Sequence, residues 1–190
     1  MKLELILLLF IISVGLKAQD KKFSTNNQKA IGYYEAAQKY YNTEVYKSCL
    51  DNIENALEAD SLFLEAYFLK AEVYFELKDF KNEVATYNKI VSIKEMDNPK
   101  FFLLKGEAEL KIGAYKKAQE SLFTSLKLSG LSASMKNKAK LLFENTNFAL
   151  EALQNPIDYK IKRLSDSINT ENNDYWPSLT ADEKTLITNR

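Results

Sequence analysis

The chain has 190 residues, with 26 Lys plus Arg balanced by 26 Asp plus Glu, and no histidine. Zero formal charge offers no general attraction to nucleic acid. The missing imidazole excludes a Ser-His-Asp triad, a Cys-His pair, histidine-ligated zinc or haem, and a histidine pH switch. The single cysteine, Cys49, excludes an internal disulfide or a thiolate metal cluster, and five glycines leave little material for phosphate-cradling loops.

Residues 1–18, MKLELILLLFIISVGLKA, combine an early Lys2, an apolar run from Leu5 to Val14 broken by Ser13, and small residues at Gly15 and Ala18. That pattern is a Sec-type signal peptide with cleavage expected between Ala18 and Gln19. The alternative is a membrane anchor, but the run is shorter than the ~20 apolar residues a span needs. Cleavage removes Lys2, Glu4 and Lys17 and leaves a net charge of −1. The mature chain is thus expected to be periplasmic or associated with the outer membrane, with no membrane span of its own. No cysteine stands near the cut, so this is not a lipoprotein signal. Residues 19–28 form a polar linker.

A period follows. Tyr33, Ala37, Tyr40, Tyr46 and Ile53 are matched 34 residues later by Tyr67, Ala71, Tyr74, Phe80 and Tyr87. A third copy, 35 residues on, has Phe102, Gly106, Tyr115 and Leu122. The extra residue falls near Asp97-Asn98-Pro99, a turn-forming stretch. Apolar residues recur at three- and four-residue intervals, so each copy is helical. Breaks near Asn42-Thr43, Lys78-Asp79 and Ile112-Gly113 divide each copy into two antiparallel helices. A single pair cannot bury its apolar face, so neighbours stack around a shared core.

This period and these residue types resemble the tetratricopeptide repeat over about residues 29–130. The family's first-helix aromatic corresponds to Tyr33, Tyr67 and Phe102, and its small contact residue to Ala37, Ala71 and Gly106. The aromatic before the turn is Tyr40 and Tyr74, with Glu109 departing in the third copy. The aromatic opening the second helix is Tyr46, Phe80 and Tyr115. The small residue on that helix is Cys49 and Ala118, with Glu83 departing in the second copy. Ser61, Glu95 and Gly130 replace the family's closing proline. Cys49, at a small-residue site, reads as a buried small hydrophobe.

Residues 132–153 predict one more helix. Met135, Ala139, Leu142, Thr146, Leu150 and Leu153 mark one face and Lys136, Lys138, Lys140 and Glu144 lie elsewhere, as expected of a capping helix with a polar outer side. Asn155-Pro156 ends it. Residues 154–173 read as a linker without sustained helical period. Residues 174–190, DYWPSLTADEKTLITNR, predict strand-turn-strand. Trp176, Pro177, Ser178, Leu179, Thr180, Asp182 and Lys184 resemble, in order, the opening of a WD40-like periplasmic β-propeller repeat, with Glu183 in place of its glycine. Tetratricopeptide repeats followed by this motif resemble Bacteroidetes-type envelope proteins. These often carry an OmpA-like domain, and some serve secretion and gliding assemblies. A propeller needs at least about four blades, so residues 174–190 supply only an opening hairpin. The expectation is a truncated reading frame or the remnant of a longer chain; a tail with no further meaning is the alternative.

Candidate chemistry is sparse. The carboxylate pairs Glu107/Glu109 and Asp182/Glu183 have nothing in the sequence that buries them in a cleft, as acid-base work requires. Asp166, Glu171 and Asp174 do not match a calcium loop. Lys136, Lys138 and Lys140 read as a solvated helix face. Asp60-Ser61-Leu62 and Asp166-Ser167-Ile168 resemble a short O-glycosylation acceptor pattern of Bacteroidetes. No catalytic residue, cofactor or metal is assigned.

The resemblance implies a concave groove lined by the first helices. Its positions here are Tyr34, Gln38 and Tyr41, then Glu65, Phe68, Glu72 and Phe75, then Lys100, Leu103, Glu107 and Leu110. The Lys/Asn/Arg set that grips a carboxyl terminus in chaperone-binding members is missing. An aromatic groove with acidic residues fits an apolar or mildly basic protein segment. The alternative is that these aromatics pack on the chain's own residues 157–173. The expectation is an all-α, tetratricopeptide-like α-solenoid of three helix pairs and a capping helix, with a short C-terminal strand or hairpin. It would act as a non-enzymatic, exported protein-binding scaffold in the cell envelope, or alternatively as a periplasmic chaperone-like peptide binder.

Overall fold

A computed structural model describes residues 23–157, 175–180 and 184–189. The expected signal peptide, most of the expected linker, Asp166-Ser167, Asp182 and Glu183 lie outside those residues. The chain divides after Glu151 into two units. Among the described residues seven helices follow one another: α1 (Gln28–Asn42), α2 (Tyr46–Ala59), α3 (Leu64–Glu76), α4 (Phe80–Ile93), α5 (Pro99–Lys111), α6 (Tyr115–Lys127) and α7 (Ala133–Gln154). The three pairs α1/α2, α3/α4 and α5/α6 pack most extensively within themselves, and α2 meets α3 and α4 meets α5. The breaks expected from sequence fall where the pairs turn.

Each turn is built the same way. Glu44, Lys78 and Gly113 take left-handed φ of 58°, 56° and 74°. The amide of the next residue reaches back five positions: Val45 to the Tyr40 carbonyl, Asp79 to Tyr74 and Ala114 to Glu109, each at 2.9 Å. Glu44, Lys78 and Gly113 themselves donate to Tyr41, Phe75 and Leu110. This paired closure satisfies the last carbonyls of the first helix and reverses the chain. Asn27, Asp79 and Asn98 cap the starts of α1, α4 and α5 with side-chain oxygens, and Pro99 sits where its missing amide costs nothing.

The small residues lie inside the pairs. Ala37, Cys49 and Ala118 are fully buried and Ala71 nearly so. At Gly106 a Cβ would stand 2.7 Å from Leu122 Cγ and 3.2 Å from the Leu122 amide nitrogen. The two departures from the pattern are also buried. Glu109 is inaccessible, ion-paired with Lys105 and accepting from the Ser121 hydroxyl at 2.7 Å, while Lys105 also reaches Ser121 at 3.2 Å. Glu83 is 2% exposed, and its Oε2 has no hydrogen-bond partner, alone in this among buried side-chain polar atoms of the described residues.

Both ends of the stack are closed. At the first, Phe23 and Phe63 meet Tyr34 with ring centroids 5.6 and 5.1 Å away, so residues before α1 join the core. At the other, α7 buries Ala139 and Thr146 and half-buries Met135, Leu142 and Phe143 against Leu103 and Leu122. Gln119 on α6 donates to Asn147 at 2.7 Å, and Lys138 pairs with Glu107 at 2.7 Å. The outer side of α7 is less polar than the sequence predicts. Leu141 and Phe148 are exposed, and so is Leu153, which the pattern assigns to the inner face. Length accounts for Leu153: 22 residues span about 33 Å against about 20 Å for the 13 residues of α6, and Asn147 already meets Gln119 near the start of α6, so the last turn of α7 runs past it. No helix span among the described residues is long and apolar enough to cross a membrane.

In the C-terminal unit, β1 (Tyr175–Leu179) and β2 (Leu186–Asn189) pair antiparallel, with Ser178 opposite Ile187 and Leu179 opposite Leu186. The register shifts between Tyr175 and Ser178, where Pro177 cannot donate to the ladder. The Thr180 amide donates to the Thr185 carbonyl at 2.9 Å.

Two stability outcomes follow from the contacts. Gly106→Ala should destabilise by roughly 1–2 kcal/mol, although alanine favours helix, because the Leu122 backbone cannot move aside. Urea unfolding measures this, and a neutral result would show that α5 and α6 are not in close contact. Lys105→Met should cost about 3 kcal/mol, because it leaves the Glu109 charge buried with only a hydroxyl donor. A shift below 1 kcal/mol in the same assay would contradict it.

Candidate binding groove

The first helices of the pairs, α1, α3 and α5, carry three adjoining depressions. The first lies between α1 and α3 and encloses about 490 Å³. Tyr34, Gln38, Tyr41 and Asn42 line it from α1, and Glu65, Phe68, Leu69 and Glu72 from α3. Helical spacing produces this: 34, 38 and 41, like 65, 68 and 72, are three or four residues apart and share a face. Gln38 donates to the Tyr34 phenol oxygen at 3.0 Å. Burial, followed by the charges of Glu65 and Glu72, raises the Tyr34 phenol to about 12, so it stays a neutral donor.

The second depression, about 180 Å³, shares Phe68 and Glu72 with the first and adds Asn98, Lys100, Phe101 and Leu104 from α5 and its cap, over Tyr87 of α4. Phe101 is its fixed wall. Its ring meets Phe68 at 6.1 Å, Tyr87 at 5.3 Å and Phe102 at 5.3 Å, all edge-to-face. Burial raises the Glu72 carboxyl, and nearby Lys100 partly offsets it. The third depression, about 260 Å³, lies at the far ends of α3 and α5 over the start of α4. It shares Leu104 with the second and holds Phe75, Phe80, Glu83 and Glu107.

Of the eleven positions expected from sequence, Tyr34, Gln38, Tyr41, Glu65, Phe68 and Glu72 meet in the first depression. Lys100 lines the second, and Phe75 and Glu107 the third. Leu103 needs correction. It is 2% exposed and packs with Leu122 and Ala139, because α7 turns that face of α5 into core. Leu104, one position on, lines the groove instead. Leu110 is half-buried and lines none of the three depressions.

Sequence reasoning missed other contributors. Ser24 donates from its amide to both Glu65 oxygens at 3.0 and 3.2 Å and from its hydroxyl at 2.5 Å. The chain's own N-terminal segment therefore already holds Glu65. Phe23 and Ser24 lie in a polar stretch with no period, so only the lone aromatic hinted at packing. Glu83, Tyr87 and Phe80 come from a second helix, outside the first-helix register. The alternative of self-packing by residues 157–173 lies almost wholly outside the described residues.

Glu107 is paired with Lys138 and Glu109 with Lys105, so neither is a free acid or base. Cys49 is buried and its thiol is pushed up to about 11 by desolvation, which keeps it protonated and inert. Among the described residues no cluster of three metal-ligating side chains occurs.

The tetratricopeptide repeat family matches residues 64–95, the second helix pair. No curated protein matches the sequence. Similar solved structures include the first TPR of Spaghetti (RPAP3) bound to an HSP90 peptide, at 21% identity and TM-score 0.56, covering 67% of this chain and 97% of that one. The TPR2B domain of yeast Sti1 in complex with pHsp70 is 15% identical with TM-score 0.53, covering 63% and 97%. YrrB, a TPR protein with an unusual peptide-binding site, is 23% identical with TM-score 0.56, covering 68% and 66%. The chain thus has a tetratricopeptide-like α-solenoid fold, with a match to the tetratricopeptide repeat family at residues 64–95.

Proposed function

We propose that this chain is an exported, non-enzymatic scaffold whose groove holds a segment of a partner protein in the cell envelope. One observation carries the reading. Tyr41, Phe68, Glu72 and Phe75 form an aromatic and acidic row on the first helices, and α1–α7 leave it open to solvent at Phe75, which is 47% exposed. Open aromatic side chains on rigid helices are the usual anchors of protein recognition. The tetratricopeptide fold is a protein-interaction scaffold, and the RPAP3 and Sti1 domains similar to it hold an HSP90 peptide and pHsp70 respectively. Export rests on residues 1–18 and the expected cut after Ala18. The blade-like motif at Trp176–Lys184 supports placement beside an outer-membrane, secretion or gliding assembly. Continuation of the reading frame into further blade motifs tests that placement directly.

Two measurements test the core of the reading. Capture from an envelope fraction should return one stoichiometric partner; a mixture of unrelated polypeptides would instead support the periplasmic chaperone-like binder. The double variant Phe68→Ala/Phe75→Ala should weaken that partner at least about tenfold with unchanged far-ultraviolet circular dichroism. Undiminished binding would remove the groove from the account. Intact mass of the exported chain should show Gln19 as its first residue, and a retained Met1 in the membrane fraction would establish the anchor instead.

A further inference from the structure

The third depression contains a group that its position in a helix pair does not explain. Glu83 occupies a place where the equivalent residues are Cys49 and Ala118, both fully buried and small. It is 98% buried by the same measure, lines the cavity, and leaves Oε2 without a donor. An unsatisfied buried acceptor costs about 1–3 kcal/mol, so native chains rarely keep one. Two ammonium groups line the same cavity, Lys78 and Lys111, yet neither pairs with Glu83 among the described ion pairs. Lys111 instead stands 6.0 Å over the Phe80 ring. Glu107 is already held by Lys138.

We propose that this cavity is a specificity pocket for a basic side chain, arginine or lysine, of the segment bound in the groove, with Glu83 accepting from its charged end. This rests on the groove-binding reading and adds what the groove selects. The cavity, about 260 Å³, has walls suited to an alkyl stem and a planar cation: Phe75, Phe80, Leu104 and Ala108. A cation entering it supplies the missing donor and the countercharge together.

The acid-base behaviour follows. Burial pushes Glu83 up to about 7, the Tyr87 hydrogen bond opposes this, and Glu107 adds to it. The charged and titratable groups around it are Tyr87 on α4, Glu72 and Glu76 on α3, Lys78 in the turn, and Glu107 and Lys111 on α5. The proton and the basic side chain compete for one carboxylate, so binding is strong above pH 7 and fades as pH falls through it.

The probes are N-acetyl-arginine methylamide, its lysine analogue, and the neutral isostere N-acetyl-citrulline methylamide, added to the exported chain and followed by amide chemical shifts. The arginine or lysine probe should move the Phe80, Glu83 and Ala108 resonances with millimolar affinity, about tenfold weaker at pH 6 than at pH 8, and citrulline should not. Glu83→Gln should abolish both the binding and its pH dependence. Lys111→Met should tighten binding by removing a like charge. Glu83→Gln should melt at or above the parent temperature at pH 8, because the buried charge is gone. Equal shifts from citrulline, binding that survives Glu83→Gln, a variant that melts lower, or no shifts up to about 50 mM would each overturn the proposal. Phe75 walls this cavity as well, so Phe68→Ala alone, at a residue lining only the first and second depressions, tests the groove reading separately.

Discussion

The close approach of the two helices in each pair is the constraint on which the other features depend. It needs a short reversal and small side chains at the point of contact. The reversal comes from one residue at positive φ in each turn, and the contact from Ala37, Cys49, Ala71, Gly106 and Ala118. With the pairs held tight, aromatic residues fill the space between them, and Phe101 becomes the hub for Phe68, Tyr87 and Phe102. The same stacking brings the outer faces of α1, α3 and α5 side by side. The groove is therefore a consequence of how the core is packed, and its wall residues are rigid because they are half core themselves.

The two glutamates that break the repeat pattern show how one substitution can have opposite effects. Glu109 replaces an aromatic and is answered by Lys105, one turn earlier on the same helix, and by Ser121 on the facing helix. Its charge is buried with its donors and makes no opening. Glu83 replaces a small residue, is answered only by Tyr87 one turn on along the same helix, and its carboxylate ends at a cavity with one oxygen unanswered. The difference lies in the neighbours, since both side chains are almost fully buried.

Periodicity made the helix pairs and their turns legible, because a three-to-four spacing repeated three times leaves few alternatives. The strand pairing at the C-terminus was legible from turn residues between short apolar runs. Most first-helix groove positions were legible because they share one helical face. Leu103 was not, since its burial depends on α7, an element outside the repeat. The held state of Glu65 was not, because Phe23 and Ser24 act from an aperiodic stretch. The cavity at Glu83 was visible only as a mismatch to the pattern, and burial with an unpaired oxygen is a three-dimensional property.

The groove's free recognition groups are confined to its middle, and this limits what can be read there. At the first end Ser24 occupies Glu65 and Phe23 covers Tyr34. At the other, α7 takes Leu103 into the core and Lys138 holds Glu107. Tyr41, Phe68, Glu72, Lys100 and Phe75 remain. The first and second depressions lie in successive gaps between first helices, and neighbouring helices pack about 8–10 Å apart. At about 3.3 Å per residue, an extended segment crosses that step in about three residues. The third depression is displaced along the helix axis instead: Phe68 to Phe75 is seven residues, or about 10 Å. A backbone crossing the helices does not pass over it. A long side chain branching from that backbone does, which is why a flexible alkyl stem with a charge at its end fits the Glu83 cavity better than a short polar residue.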